Sequence, residues 1–282
     1  MATVTTNGIT IWCEAFGERT SPPMLLVMGQ GAQATGWPTE FCQRLAGCGY
    51  FVVRYDNRDT GFSSWFSDQQ PYGLDDMAAD AIGLLDALGI ERAHVVGASL
   101  GGAIGQIMAI HWPGRVATLV SIMSSAGRAE DDLDTAASAL LDRFERERST
   151  DDEDAVQESV ESWRLCAGAT RPFDEGWWQQ FVREQHQRAP NPEANAHHRA
   201  ATLRSGPRRA GLPGVLAPTL VIHGDEDPLV PLADGAEVGR LIPGARLLIL
   251  PGMGHELPPW TWDYLIPAIA EHTGKHADAA FT

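Results

Sequence analysis

The sequence predicts an α/β fold: a mostly parallel sheet with helices on both of its faces. Three observations carry that prediction. Six short apolar runs, at residues 24–28, 50–55, 94–96, 116–122, 219–223 and 246–250, each suit a strand buried on both faces. Amphipathic stretches at helical spacing separate several of them, and alternating strand and helix is the pattern of a parallel sheet. The tight turn Gly97-Ala98-Ser99-Leu100-Gly101 joins one such run, Ala93-His94-Val95-Val96, to a helical pattern that begins at Gly102.

In chain order, residues 4–16 open the fold as an antiparallel hairpin at the sheet edge, with Asn7-Gly8 as its turn. Added to the six runs, the hairpin makes an eight-stranded sheet. The run 24–28 leads into a glycine-rich loop, Gly29-Gln30-Gly31-Ala32. After 50–55 comes the charged string Arg54 to Gly61, read as a structural turn in which Asp56, Arg58 and Asp59 pair among themselves. Residues 74–88 carry apolar side chains at helical spacing and stop at Gly89; 231–241 and 258–272 show the same periodicity.

Residues 127–211 break the alternation. This stretch has no convincing strand and turns charged, helical and aromatic: Asp131-Asp132, Arg143 to Arg148, then Trp163, Trp177, Trp178 and Phe181. An insertion between two strands of such a sheet lies at their carboxyl edge, where ligands bind. A helical cap over a core of residues 1–126 and 212–282 is therefore expected, its tryptophans either packing the cap or lining a pocket beneath it.

Composition narrows the functional classes. At 282 residues, 44% apolar and 21% charged, the chain has the make-up of a soluble globular protein. No stretch reaches the roughly 18 apolar residues of a membrane span. The first residues lack the basic start and apolar run of a secretory signal, so a cytoplasmic location is expected. The formal charge of −16 repels nucleic acid and anionic lipid, which leaves a small molecule as the expected partner of a monomer or small homo-oligomer. Cys13, Cys42, Cys48 and Cys166 show no C-x-x-C or Cys/His spacing; they read as small buried fillers, and no metal or other cofactor is expected.

A G-x-S-x-G between strand and helix is a nucleophile elbow, a turn tight enough to lift the Ser99 hydroxyl clear of the backbone. A serine needs a base to take its proton, and the base works best when a carboxylate orients it. Of nine histidines, His255 is favoured, because Pro251-Gly252-Met253-Gly254 after the last strand lets a loop carry the ring back over the elbow. The acid is expected after the preceding strand, where Asp225, Glu226 and Asp227 compete. Asp227 is preferred, since Pro228 fixes the loop behind it while Asp225 lies in the turn leaving the strand. Two backbone N–H groups are expected to hold the developing oxyanion: Leu100 at the start of the elbow helix and Gln30 in the glycine-rich loop. Gly29, Met123, Trp163, Trp178 and Leu229 are the candidate substrate-binding residues.

These residues resemble the α/β-hydrolase fold over essentially the whole chain. More narrowly, Leu25-Leu26-Val27-Met28-Gly29, Gly36-Trp37-Pro38, the string Arg54-Tyr55-Asp56-Asn57-Arg58-Asp59-Thr60-Gly61, and Pro251 to His255 resemble the aclacinomycin methylesterase group. That resemblance implies hydrolysis of a carboxymethyl ester on an anthracycline polyketide, without a cofactor. Three features depart from the group. Gln30 stands where the methylesterases have a second glycine after Met-Gly, and Ala98 and Leu100 replace a leucine and a methionine. The 127–211 stretch matches only in patches such as Trp163-Arg164 and Pro172-Phe173-Asp174. The same serine could also serve enol-lactone hydrolysis, C–C bond hydrolysis or perhydrolysis, or persist in a low-turnover ligand-binding homologue.

Overall fold

The structure, a computed structural model, describes residues 1–67, 69–127, 135–145 and 152–275. Asp131-Asp132 and residues 146–148 of the predicted cap lie outside the described residues. The strands are β1 (Ala2–Thr6), β2 (Ile9–Phe16), β3 (Pro23–Val27), β4 (Phe51–Tyr55), β5 (Ala93–Ala98), β6 (Val116–Ile122), β7 (Thr219–Gly224) and β8 (Arg246–Leu250). They form one sheet in the order β1-β2-β4-β3-β5-β6-β7-β8. The β1/β2 and β2/β4 pairings are antiparallel and the remainder parallel, so the hairpin sits at one edge.

Strand alternation divides the core between the two faces. β3 sends Leu25 and Val27 to one side and Met24 and Leu26 to the other. The first side is covered by α2 (Leu74–Ala87), α3 (Leu100–His111) and α8 (Leu232–Leu241), the second by α1 (Thr39–Gly47) and α9 (Pro259–Gly274). α3 runs behind the centre of the sheet and is buried from Leu100 to Ala109, which fixes the direction of its first turn. The insertion contributes α4 (Thr135–Glu145), α5 (Asp152–Cys166), α6 (Glu175–Arg188) and α7 (Ala194–Ser205), all between β6 and β7. Among the described residues no helix is long and apolar enough to cross a membrane.

Three expectations need correction. β8 is not buried on both faces: it is the other edge strand, with Leu247 and Ile249 exposed, because among the described residues nothing pairs beyond it in the sheet. Cys48 is exposed at the end of α1, whereas Cys13, Cys42 and Cys166 are buried. Asp56, Arg58 and Asp59 do not pair among themselves; each finds a partner farther along the chain. Arg58 Nε donates to Asp80 on α2 at 2.7 Å, between the rings of Phe66 and Tyr72. Asp59 Oδ2 accepts from Tyr72 Oη at 2.5 Å and lies 3.1 Å from His197 Nδ1 on α7.

Asp56 and its neighbours dock the insertion onto the loop after β3. Its Oδ1 accepts from Ala34 N at 2.7 Å, while Arg188 of α6 donates to both carboxylate oxygens at 3.0 and 2.8 Å and to Gln33 Oε1 at 2.7 Å. His198 of α7 completes the joint. Its Nε2–H donates to Arg58 O at 2.8 Å, which leaves Nδ1 to accept from Gly31 N at 3.0 Å. A doubly protonated ring could not accept that bond.

Burial pulls the His198 pKa down to about 4, against the opposing effects of the Arg58 carbonyl and Asp59. The unfolded ring titrates near 6.5, so between those values the unfolded chain binds more protons than the folded one. Stability is therefore expected to fall as pH drops through this window, by about 3 kcal/mol for a shift of this size. Urea denaturation of wild type and His198→Gln from pH 7 to pH 4 checks it. A variant with the wild-type pH slope would remove His198 as the source.

Candidate active site

The elbow between β5 and α3 holds Ser99 at φ 53°, ψ −118°, a conformation costly for a residue with a side chain. Sterics explain the glycines on either side. A Cβ on Gly97 would lie 2.1 Å from Gly101 O, and one on Gly101 2.0 Å from Val27 O, so β3, β5 and α3 meet too closely for any other residue. Ser99 N donates to Ile122 O at 2.9 Å, and Met123, also at positive φ, directly follows β6.

His255 and Asp227 come to this turn from the loops after β8 and β7. His255 Nε2 is 2.9 Å from Ser99 Oγ, and His255 Nδ1 is 2.8 Å from Asp227 Oδ2. All three side chains form one row at the carboxyl ends of the strands. Asp227 Oδ1 accepts the amides of Leu229 and Val230 at 2.9 and 2.8 Å. Burial alone would push this carboxyl up, but His255, His223 and the Val230 amide outweigh it and hold it well below the usual carboxylate range. It is therefore an anion beside the imidazole at neutral pH.

The three carboxylates that competed in the sequence have separate partners. Asp225 Oδ1 accepts from Gly252 N at 2.7 Å and braces the loop that carries His255. Glu226 accepts from Thr170 N and Oγ1 at 2.9 and 2.6 Å, tying the insertion to the β7 loop. Only Asp227 meets His255. His255 N in turn donates to Cys166 O at 2.7 Å, so the end of α5 also fixes the ring's backbone. Next to it, burial pushes the Glu256 carboxyl up to about 7, partly offset by the Gly168 amide, and pushes the Cys166 thiol up to about 12.

A cavity of about 120 Å³ opens over Ser99, and Gln30, Leu100, Met123 and Leu229 are in its lining. Gly29 packs against the serine itself: a Cβ there would be 3.2 Å from Ser99 Cβ. Trp163 and Trp178 lie elsewhere. Their rings stack at 4.7 Å within a cluster that includes Val156, Val160 and Val182, so they pack the insertion's helices rather than line this cavity. The reason is local: α5 and α6 are amphipathic helices whose apolar faces are satisfied by one another. Sequence reasoning missed Arg188, His198, His223 and Arg208. His223 Nε2 donates to Val230 O at 2.7 Å and lies 3.5 Å from Asp227 Oδ2, a closeness its i, i+4 spacing across a loop could have suggested.

Comparison with known proteins agrees with this architecture. A family model described as the alpha/beta hydrolase fold matches residues 22–260. The chain is 35% identical to rhodomycin D methylesterase DnrP of Streptomyces peucetius, over 96% of this chain and 97% of that one. It is 31% identical to a 2-hydroxymuconate semialdehyde hydrolase of Pseudomonas putida, over 85% of this chain and 81% of that one. Among solved structures, an enol-lactonase from Burkholderia xenovorans LB400 superposes with a TM-score of 0.81 at 22% identity, covering 97% of this chain and all of its own, a likeness of fold. A matching family model over most of the sequence, a full-length relative at 35% identity and a mostly parallel sheet carrying a strand–serine–helix elbow lead to one conclusion: the chain belongs to the α/β-hydrolase family.

Proposed function

We propose that the protein hydrolyses a carboxylic ester with a small alcohol, a methyl ester in the first instance, and that Ser99 is its nucleophile. The observation that carries this reading is the row Ser99–His255–Asp227 at 2.9 and 2.8 Å. Ser99 Oγ attacks the ester carbonyl while His255 Nε2 takes its proton, and the Asp227 carboxylate stabilises the imidazolium. His255 then protonates the leaving alcohol. Water, deprotonated by the same nitrogen, attacks the acyl-enzyme and frees the acid and Ser99.

The oxyanion falls to the amides of Leu100 and Gln30. Leu100 N–H is at the first turn of α3, where no earlier carbonyl of the helix can accept it. In the loop after β3, Gly31 N and Ala32 N already donate to His198 and to Gly29 O, so neither can serve the oxyanion. The methylesterase relative supports a carboxymethyl ester on an anthracycline-like polyketide as the substrate class. The cavity of about 120 Å³ takes the ester and its nearest atoms, and a polycyclic acyl group would extend beyond it toward the cap of residues 127–211.

The test is a series of methyl, ethyl and hexyl esters of one aromatic acid, with alcohol release measured alongside labelling by a fluorophosphonate. Stoichiometric labelling and fastest turnover of the methyl ester are expected. No label and no alcohol from any ester would sink the reading. Label with ester turnover slower than hydrolysis of 2-hydroxymuconate semialdehyde, the compound named for the Pseudomonas putida relative, would instead favour C–C hydrolysis on the same row.

A further inference from the structure

Arg208 lines the cavity that contains Ser99, yet the reaction as derived gives it no task. The residue is only 8% exposed. Its Nε donates to Gln106 Oε1 at 3.0 Å and its Nη2 to Ser125 O at 2.9 Å, both neutral acceptors. Nη1, itself buried, has no hydrogen-bond partner among the described residues. Beside it stands Gly127, another lining residue, where a Cβ would be 3.4 Å from Nη1.

Charge makes this arrangement unusual within the molecule. Among the described residues, the two other arginines buried to this degree are neutralised by carboxylates, Arg54 by Glu14 and Arg58 by Asp80. Arg199, also in the cavity lining, is held by Asp142 and Glu145. Among the described residues Arg208 has no carboxylate within bonding distance, and burial together with the neighbouring Arg209 pulls its pKa down to about 10, still far above neutral. A buried guanidinium with a free N–H is costly unless something anionic completes it.

We propose that the missing partner is supplied by the substrate: an anionic oxygen on the acyl side, carboxylate or phenolate, which Arg208 binds while the ester carbonyl lies at Ser99. This inference rests on the ester-hydrolase reading above and names its substrate class. A charge-assisted hydrogen bond of this kind is worth about a 10- to 100-fold preference over a neutral isostere.

The experiment measures kcat/KM for two matched pairs. The carboxylate arm compares monomethyl glutarate with its carboxamide counterpart; the phenolate arm compares a methyl hydroxynitrobenzoate, ionised at neutral pH, with its methoxy analogue. Wild type is expected to favour the anionic member about 10- to 100-fold in one arm, and that arm identifies the oxygen. In Arg208→Gln the ratio is expected to collapse toward one. Equal rates within both pairs for wild type would overturn the proposal whether or not the variant folds, and so would a variant that keeps the preference. Calorimetry with glutarate and with the hydroxynitrobenzoate separates the two hypotheses if no ester is cleaved. Anion binding lost in the variant supports the Arg208 site although the ester reading has failed, and no anion binding by wild type refutes it.

Discussion

Replacing Ser99 with alanine is expected to lower kcat for ester hydrolysis by about 10⁴- to 10⁶-fold while leaving the fold intact. The loss is large because in the proposed mechanism Oγ forms the acyl bond, and among the described residues no other hydroxyl is placed on His255 Nε2. The fold survives because the contacts that set the elbow are backbone ones: Ser99 N to Ile122 O, and the close approach of Gly97 to Gly101 and of Gly101 to Val27. Alanine keeps the strain at φ 53°, but glycine relieves it. Ser99→Gly is therefore expected to be as inactive as Ser99→Ala and more stable than wild type, by about 1–3 kcal/mol. Kinetics and thermal melts of the three proteins check both halves. Comparable ester turnover by Ser99→Ala would remove the serine from the mechanism, and a Ser99→Gly no more stable than Ser99→Ala would show that the elbow stores no strain.

What was legible in the sequence was what local pattern controls. Apolar runs marked the parallel strands, since a strand buried on both faces has no alternative to being apolar. The elbow was legible because its geometry admits only glycine at positions 97 and 101. His255 and Asp227 could be chosen because each follows its strand directly, so the chain order already gives their place. The sequence was silent where partners are far apart. His198 meets Gly31 across 167 residues and Arg58 across 140, and nothing within a window of either announces the contact. The pairing of Asp56 with Arg188 is of the same kind, which is why the charged string looked self-contained. β8 misled for a different reason. An apolar edge strand and an apolar central strand have the same pattern, and only the sheet order tells them apart. The tryptophans of α5 and α6 were ambiguous because packing between helices and lining a pocket demand the same residue types.

Asp227→Asn is expected to lower kcat by about 10⁴-fold at neutral pH, whereas Asp225→Asn and Glu226→Gln should each stay within about tenfold of wild type. Geometry dictates the difference. Asp227 Oδ1 accepts two amides, from Leu229 and Val230, so in the variant the amide oxygen must occupy that position and the NH₂ must face His255 Nδ1. The imidazole must then accept at Nδ1, which places its proton on Nε2, toward Ser99 Oγ, where a base is needed. Asp225 and Glu226 only accept, from Gly252 N and from Thr170, and an amide oxygen can do the same. Stability supplies an independent reading. The Asp227 carboxyl is held below its usual range in the folded protein, so its contribution is full above the unfolded value of 3.8 and is lost as pH falls below it. The stability gap between wild type and Asp227→Asn should therefore be constant near neutral pH and shrink in acid, when followed by denaturation at several pH values. A larger kcat loss from Asp225→Asn than from Asp227→Asn would transfer the role to Asp225, and a gap indifferent to acid would mean that the Asp227 charge contributes nothing to the fold.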